Sequence, residues 1–443
     1  MIITLCYIVL VVITLYTVRS SITIFKNCHS LIPVVPIVIM YMWSIYGSWS
    51  WIPFRLSGGE TDFEALMYRV NIDEYYLLSL VLYSIFIFVF VSVELSYVKR
   101  YRKSFIVWSN PDVYKTFIER LSNNRLYNLI SYSLLFVFLF LSYRDIIAAM
   151  RSGVSAYLLS RFDSTTTGIN SLINFCGETY AYMVLPIFFS SQTKKKLLPM
   201  ITFGLYFLFN FMLGNRNILL TSLVIVVLLY AELYGIKKAL KPRNIFIAAA
   251  LLLGIQLISF LRGLSVADIV SSKQEFTFGN LLISLFSSSE FYSAQFSLYG
   301  LLKYDVGFTY GSSILFLIST LVPSFLGVPR PQAIYDYYVL GTTHQIPEFG
   351  VTIHHASAWY LNFGILGIIL GALLWAYVLK FLFIRKKYFI YMYGAILFSA
   401  NSIPMIRGGG LEIYKGCLLL CTIIPMVLIY FSRVKFKRAA IHN

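Results

Sequence analysis

Charge is what this chain has least of. Asp, Glu, Lys and Arg make up only 12% of its 443 residues, about half the share a soluble domain carries, and that shortfall excludes a soluble globular enzyme. A disordered chain is excluded for the opposite reason: it needs low hydrophobicity, and 58% of these residues are hydrophobic. Cysteine is sparse too. Cys6, Cys28, Cys176, Cys417 and Cys421 lie mostly in apolar runs without paired ligand spacing, so neither a disulfide framework nor a zinc site is supported. The chain has no phosphate-cradling P-loop, no dinucleotide fingerprint and no Gly-x-Ser-x-Gly turn. Nucleotide-driven transport by this chain alone is therefore not expected, and no cofactor is called for. No internal repeat is present, which weakens an inverted-repeat transporter reading.

Long apolar runs are abundant. A helix crossing the hydrocarbon core needs about 20 mostly apolar residues. Such runs occur near 2–18, 31–52, 76–97, 127–143, 171–190, 198–213, 217–234, 244–260, 357–383, 389–405 and 414–431. They are continuous rather than alternating, so they read as helices and not as barrel strands. The expected fold is an all-α polytopic membrane protein with about eleven spans (range about 10–13). The first run opens at Met1 with no basic leader and no small-residue cleavage site, and reads as a retained span.

The formal charge of +17, from 36 Lys and Arg against 19 Asp and Glu, is distributed unevenly. Alternate loops near 19–26, 99–125, 194–196, 237–243, 385–387 and 433–438 hold about two in three of the basic residues, and the positive-inside rule places that side in the cytoplasm. The C-terminus is then cytoplasmic and the N-terminus outside. Acidic residues such as Glu60, Asp62, Glu64, Asp73, Asp336 and Glu348 fall on the opposite side. The basic excess is thus a topology signal, and nucleic acid is not needed to explain it.

Three segments follow: a bundle of about eight spans over 1–260, an outer loop over 261–356, and three C-terminal helices with a basic tail over 357–443. Loops as long as the middle one are usually functional. Within it, Phe308 to Phe325 is apolar enough to span, but one extra crossing would reverse every later loop. It reads as a re-entrant or interfacial helix; the alternative is a pair of crossings with Leu281 to Tyr299.

Four arginines are predicted at the outer mouth of the bundle. Arg216 sits in Gly214-Asn215-Arg216-Asn217, Arg262 precedes Gly263, Arg330 lies in Val328-Pro329-Arg330-Pro331, and Arg407 opens Arg407-Gly408-Gly409-Gly410. A guanidinium presents a fixed fork of donors that matches phosphate oxygens, and the glycines beside Arg407 let backbone N–H groups approach an anion. Any one of these arginines could instead snorkel or pair locally. Four at one depth point to a diphosphate head group.

A second constellation runs from Gly350 to Gly364 and contains His354 and His355. A neutral imidazole can take a proton from a hydroxyl near pH 7, and Asp336 or Glu348 could orient it. The simpler reading is that the two polar residues cap the following helix. Adjacent His on a helix face different ways, so no metal site is expected. Glu178 in the fifth span and Lys415 in the last are either site residues or halves of buried pairs. Asn215, Asp336, Glu348, Tyr360 and Glu178 complete the candidates for supporting or sugar-contacting roles.

In layout and in several motifs the chain resembles the O-antigen polymerases (Wzy type) of bacterial inner membranes, which are related to O-antigen ligases. The layout is ten to fourteen spans with a large outer loop late in the chain. Gly214-Asn215-Arg216 resembles the Gly-x-Arg turn of that group, and Arg262-Gly263 the start of its large loop. His354-His355, with Trp359-Tyr360-Leu361-Asn362-Phe363-Gly364 and Gly367, is similar to the segment that closes the loop. Ligase relatives usually carry an acidic residue just before the Gly of that motif, where this chain has Asn362 and Phe363. That departure weighs against a ligase more than against a polymerase.

The resemblance implies a membrane glycosyltransferase independent of metal and of sugar nucleotides. Its donor and acceptor would both be undecaprenyl-diphosphate-linked glycans at the periplasmic face. Arg216, Arg262, Arg330 and Arg407 would hold the diphosphate, and His354 or His355 would take the acceptor proton. The bilayer and a chain-length regulator are the implied partners. The rival readings are an O-antigen ligase, a lipid-linked oligosaccharide flippase, which should lack the large outer loop, and a membrane scaffold, which leaves the arginines without a purpose.

Overall fold

The computed structural model describes residues 1–59, 68–108, 111–152, 167–213, 216–239, 241–244, 246, 290–312, 353–407 and 422–431. Among these the secondary structure is helical, with no strand. In chain order the principal helices are α1 (Ile2–Cys28), α2 (Val34–Tyr41), α3 (Gly47–Leu56), α4 (Glu74–Arg100), α5 (Pro111–Ser122), α6 (Arg125–Ser152) and α7 (Thr167–Val184). They continue as α8 (Thr193–Met212), α9 (Arg216–Tyr234), α10 (Glu290–Lys303), α11 (His355–Phe383), α12 (Phe389–Ala400) and α13 (Ser402–Arg407). A π-helical turn, Met42–Tyr46, joins α2 to α3, and a 3-10 turn, Leu185–Phe189, extends α7.

Among the described residues, five stretches are long and apolar enough to cross a membrane: Ile2–Cys28, Glu74–Arg100, Arg125–Tyr143, Leu172–Phe189 and His355–Phe383. Ile218–Tyr234 and Phe389–Ala400 are apolar but shorter. The run at 31–52 is helical but divided by the π turn. The run at 389–405 divides between α12 and α13. Nearly all of the run at 244–260, the first part of the run at 414–431, and the outer-loop residues 261–289 and 313–352 lie outside the described residues.

The long helices have evident local causes. In α4 the Asp73 Oδ1 accepts from the Tyr76 N–H at 3.0 Å, Glu74 lies in the first turn, and Lys99 and Arg100 lie in the last. That charge order complements the helix dipole. In α1 the residues Cys6, Leu10, Ile13 and Thr17 are buried, whereas Ile8, Val12 and Leu15 are exposed apolar side chains. An apolar outer face on an apolar helix is what a lipid-facing span presents.

The chain divides into two compact units, each assembled from segments distant in sequence. The first comprises Met1–Ile106, Leu282–Ile384 and Asn401–Cys417. Its axis is α4, against which α1 and α11 pack lengthwise, while α10 lies against the π turn and α3. The second comprises Val107–Leu281, Arg385–Ala400 and Leu418–Asn443. There α6 and α7 pair, with Leu135, Phe138, Ile173, Tyr180 and Tyr206 in their core, and α12 packs on α9. A buried ion pair joins Lys386 to Glu232 at 3.6 Å.

Candidate functional site: a buried polar knot at the head of α11

His354 occupies the N-cap of α11. Its backbone is extended (φ −65, ψ 145), and its Nδ1 accepts the Ala356 N–H at 3.1 Å. A lone pair used at Nδ1 puts the proton of the neutral ring on Nε2, which therefore donates to Ser44 Oγ at 2.9 Å. Ser44 belongs to the π turn, a distortion common at functional sites. The His354 N–H donates to Ser297 Oγ at 3.0 Å, and Ser297 Oγ is 2.8 Å from Ser357 Oγ.

The knot extends onto α4 and α10. Tyr83 sets its ring edge-on to His354, 4.5 Å between centroids. Its hydroxyl donates to the Gln295 carbonyl at 2.9 Å and lies 3.1 Å from Ser357 Oγ. Ser48 Oγ accepts from Tyr76 OH at 2.7 Å and from Gln295 Nε2 at 2.5 Å. All of these side chains are buried. Among the described residues, Gln295 Oε1 is a buried acceptor without a hydrogen-bond donor. Buried acceptors are almost always satisfied, so this amide is the point at which the knot can receive one more donor.

His355 is buried beside it but turned away. Its Nε2 accepts the Trp359 indole N–H at 3.1 Å, and its ring meets Trp375 edge-on at 5.2 Å. The lone pair of each neutral imidazole is thus engaged, His354 by a backbone amide and His355 by an indole. A proton acceptor needs a vacant lone pair. In this arrangement His354 caps α11 and His355 holds the Trp359 indole.

The segment that follows, Trp359 to Gly367, contains a break in α11. Phe363 (φ −141, ψ 19) and Gly364 (φ 60, ψ −140) leave helical geometry, and Gly364 sits in the left-handed region that side chains avoid. The freed Leu361 carbonyl accepts the Thr309 N–H at 2.8 Å. Asn362 bridges the break: its Nδ2 donates to the Ala358 carbonyl at 2.8 Å and its Oδ1 lies 3.0 Å from Thr309 Oγ1. Trp359 then folds over the second half of the helix. A Cβ on Gly367 would fall 2.0 Å from the Trp359 carbonyl oxygen, and one on Gly371 would fall 2.5 Å from its ring. Tyr360 is half-buried, edge-on to Phe308 at 5.7 Å.

Beyond the knot, Tyr299 OH donates to Asp73 Oδ2 at 3.0 Å and accepts from Lys303 Nζ at 2.9 Å and from the Asn71 N–H at 3.2 Å. Burial first, with Asp73 beside it, pushes this phenol above its usual range despite the Asn71 bond. It stays protonated and available to donate.

Of the expected set, His354, His355 and Tyr360 lie at the N-cap and in the first part of α11, where they are neighbours in sequence. Arg216 is the first residue of α9 and Arg407 the last of α13, and they belong to different units. Arg262, Arg330, Asp336, Glu348 and Asn215 lie outside the described residues. Glu178 is half-buried in α7 and is not without a partner. Ser44, Ser48, Tyr83, Gln295 and Ser297 escaped sequence reading, because single hydroxyls and amides inside apolar runs carry no spacing signal. Glu94 escaped it too, although a carboxyl inside an apolar run is the kind of residue that requires a reason. It is buried within α4 and accepts from the Tyr97 hydroxyl. Among the described residues no group of three His, Cys, Asp or Glu is placed to hold a metal ion. The chain matches no protein-family model, no curated protein and no solved structure.

Proposed function

We propose that this protein is a membrane glycosyltransferase that polymerises undecaprenyl-diphosphate-linked repeat units at the periplasmic face of a bacterial inner membrane. One observation carries the reading. The segment that resembles the loop closure of O-antigen polymerases, His354 to Gly367, folds as a broken helix whose head is tied to α4, α10 and the π turn by a buried polar knot. Broken helices in an apolar bundle are a recurrent way to place polar groups at membrane depth.

In the proposed reaction an acceptor-sugar hydroxyl attacks the anomeric carbon of the donor chain. The new glycosidic C–O bond forms as the bond to the diphosphate breaks. The hydroxyl gives its proton to His354 or His355, and undecaprenyl diphosphate leaves as an anion. Arg216, Arg262, Arg330 and Arg407 would hold that anion and stabilise its developing charge. His354 and His355 would shape the acceptor pocket; a base role for either requires its present hydrogen bond to open. The C-terminus is cytoplasmic in this reading, and a chain-length regulator is a partner.

The test is the glycan ladder of cells lacking the protein. A polymerase deletion leaves a single repeat unit on the lipid core, and the wild-type gene restores the ladder. Core without any repeat unit would instead assign a flippase or ligase and overturn the proposal.

A further inference from the structure

The second unit contains a cavity that the proposed reaction does not use. It measures about 450 Å³ and lies between α5 and the start of α12. Its floor is aromatic: the ring of Phe117 stacks on Phe389 at 4.8 Å and 24°, and Phe389 stacks on Tyr393 at 5.7 Å and 12°. Its rim carries Arg120 and Lys387.

The cavity is built on a firmly held helix. Tyr114, Ile118 and Leu121 of α5 are buried, whereas Asp112, Val113, Thr116 and Arg120 are exposed. The Tyr114 hydroxyl donates to the Lys386 carbonyl. Glu119 accepts from Ser190 Oγ at 2.8 Å and from the Ser191 N–H. These bonds fix both the helix and the residue preceding the cationic rim.

The charges on the rim are not cancelled locally. Lys386 is buried against Glu232, but its neighbour Lys387 is exposed and lies over the Tyr388 ring at 4.9 Å. Asp112, the acidic residue of the rim, is paired with Lys115 at 3.5 Å. Arg120 has no ion-pair partner among the described residues. Exposed Val113 and Tyr388, each 49% accessible, continue the apolar floor outward. Both walls belong to basic segments, 99–125 and 385–387.

We propose that this cavity is a binding site for an anionic phospholipid of the surrounding bilayer. Arg120 and Lys387 hold the phosphate, and the glycerol and upper acyl carbons lie on the Phe117–Phe389 floor. Guanidinium and ammonium groups meet phosphate with strong, charge-assisted bonds, and basic segments at a membrane surface attract anionic lipids. A free phosphate would use the two cations and leave the apolar floor bare; a zwitterionic lipid would use the floor and set its own cation against the rim. This site is independent of glycosyl transfer and of the reading given for the knot.

The experiment uses the full-length protein, delipidated in detergent and incubated with phosphatidylglycerol, phosphatidylcholine or inorganic phosphate. Native mass spectrometry counts the adducts, and thermal melting reads stabilisation. The expected result is one phosphatidylglycerol held about tenfold or more tightly than phosphatidylcholine, with a melting temperature raised by the anionic lipid alone. Arg120→Gln with Lys387→Gln abolishes the preference; both side chains are exposed, so folding is unaffected. Arg120→Lys with Lys387→Arg preserves it. Equal retention of the two lipids overturns the proposal, as does a Gln double variant that keeps its phosphatidylglycerol. Displacement of the lipid by inorganic phosphate identifies free phosphate as the ligand and overturns it as well.

Discussion

An amide at position 362 donates and accepts at once, which a carboxylate cannot. Asn362 donates to the Ala358 carbonyl and meets the Thr309 hydroxyl through its oxygen. Asn362→Asp loses the donor and buries a charge, so destabilisation by about 3 kcal/mol is expected, readable as a lower denaturation midpoint in detergent. His354 is tested differently. If it caps and positions, His354→Asn keeps an acceptor for the Ala356 N–H and preserves most polymer formation, whereas His354→Ala loses both cap and activity. If His354 is the base, the two variants are equally inactive. Ladder length together with protein level in the membrane separates these outcomes. The pair was visible in the sequence as a polar doublet in an apolar context. Which lone pair each ring uses depends on Ser44 and Trp359, and no spacing rule links His354 to a serine 310 positions away.

At the scale of elements, the break in α11 and the anchoring of α5 each rest on a short list of contacts. Gly367 faces the Trp359 carbonyl so closely that no side chain fits. Gly367→Ala is expected to push the two halves of α11 apart and cost about 2 kcal/mol or more. Trp359 fluorescence and expression yield report that change. The anchoring of α5 is pH-dependent. Burial alone would raise the Glu119 carboxyl, but the Ser191 and Ser190 hydrogen bonds and nearby Lys195 outweigh it and hold the group below the usual carboxylate range. A lowered folded pKa gives stability that is complete above the unfolded value of about 4.3 and is lost as pH falls through the folded value. The wild-type melting temperature should therefore fall below about pH 4 more steeply than that of Glu119→Gln. The length and continuity of the apolar runs announced α1, α4, α6, α7 and α11. It did not announce the break at Phe363–Gly364, because Asn-Phe-Gly inside an apolar run also fits an unbroken span.

At the scale of the whole chain, the basic asymmetry of the loops makes a prediction that hydropathy cannot. In the proposed topology, a periplasm-dependent phosphatase fused after residue 443 is inactive, and the same reporter placed within 304–312 is active. The reverse pattern would invert the orientation and move the knot to the cytoplasmic face. Charge bias is a property of the sequence and acts during insertion, so it is legible before any fold exists. The two compact units are another matter. Residues 282–384 join the first hundred, while 385–400 join the central part of the chain. Reading the chain as 1–260, 261–356 and 357–443 follows chain order, and chain order does not say which helices pack.

Low charge and long, continuous apolar runs pointed to helices able to cross a membrane, since in lipid a helix satisfies its own backbone polar groups and a barrel would need alternating strands. Sequence also singled out the segment from Gly350 to Gly364 and its two histidines. Only the tertiary structure decided that His354 caps α11 while His355 meets Trp359, that the helix breaks at Phe363–Gly364, and that Ser44, Tyr83, Gln295 and Ser297 share one buried network. The reason is physical: apolar patterning acts over neighbouring turns of a single helix, whereas a hydrogen-bonded knot depends on which distant helices approach closely enough to share their polar atoms.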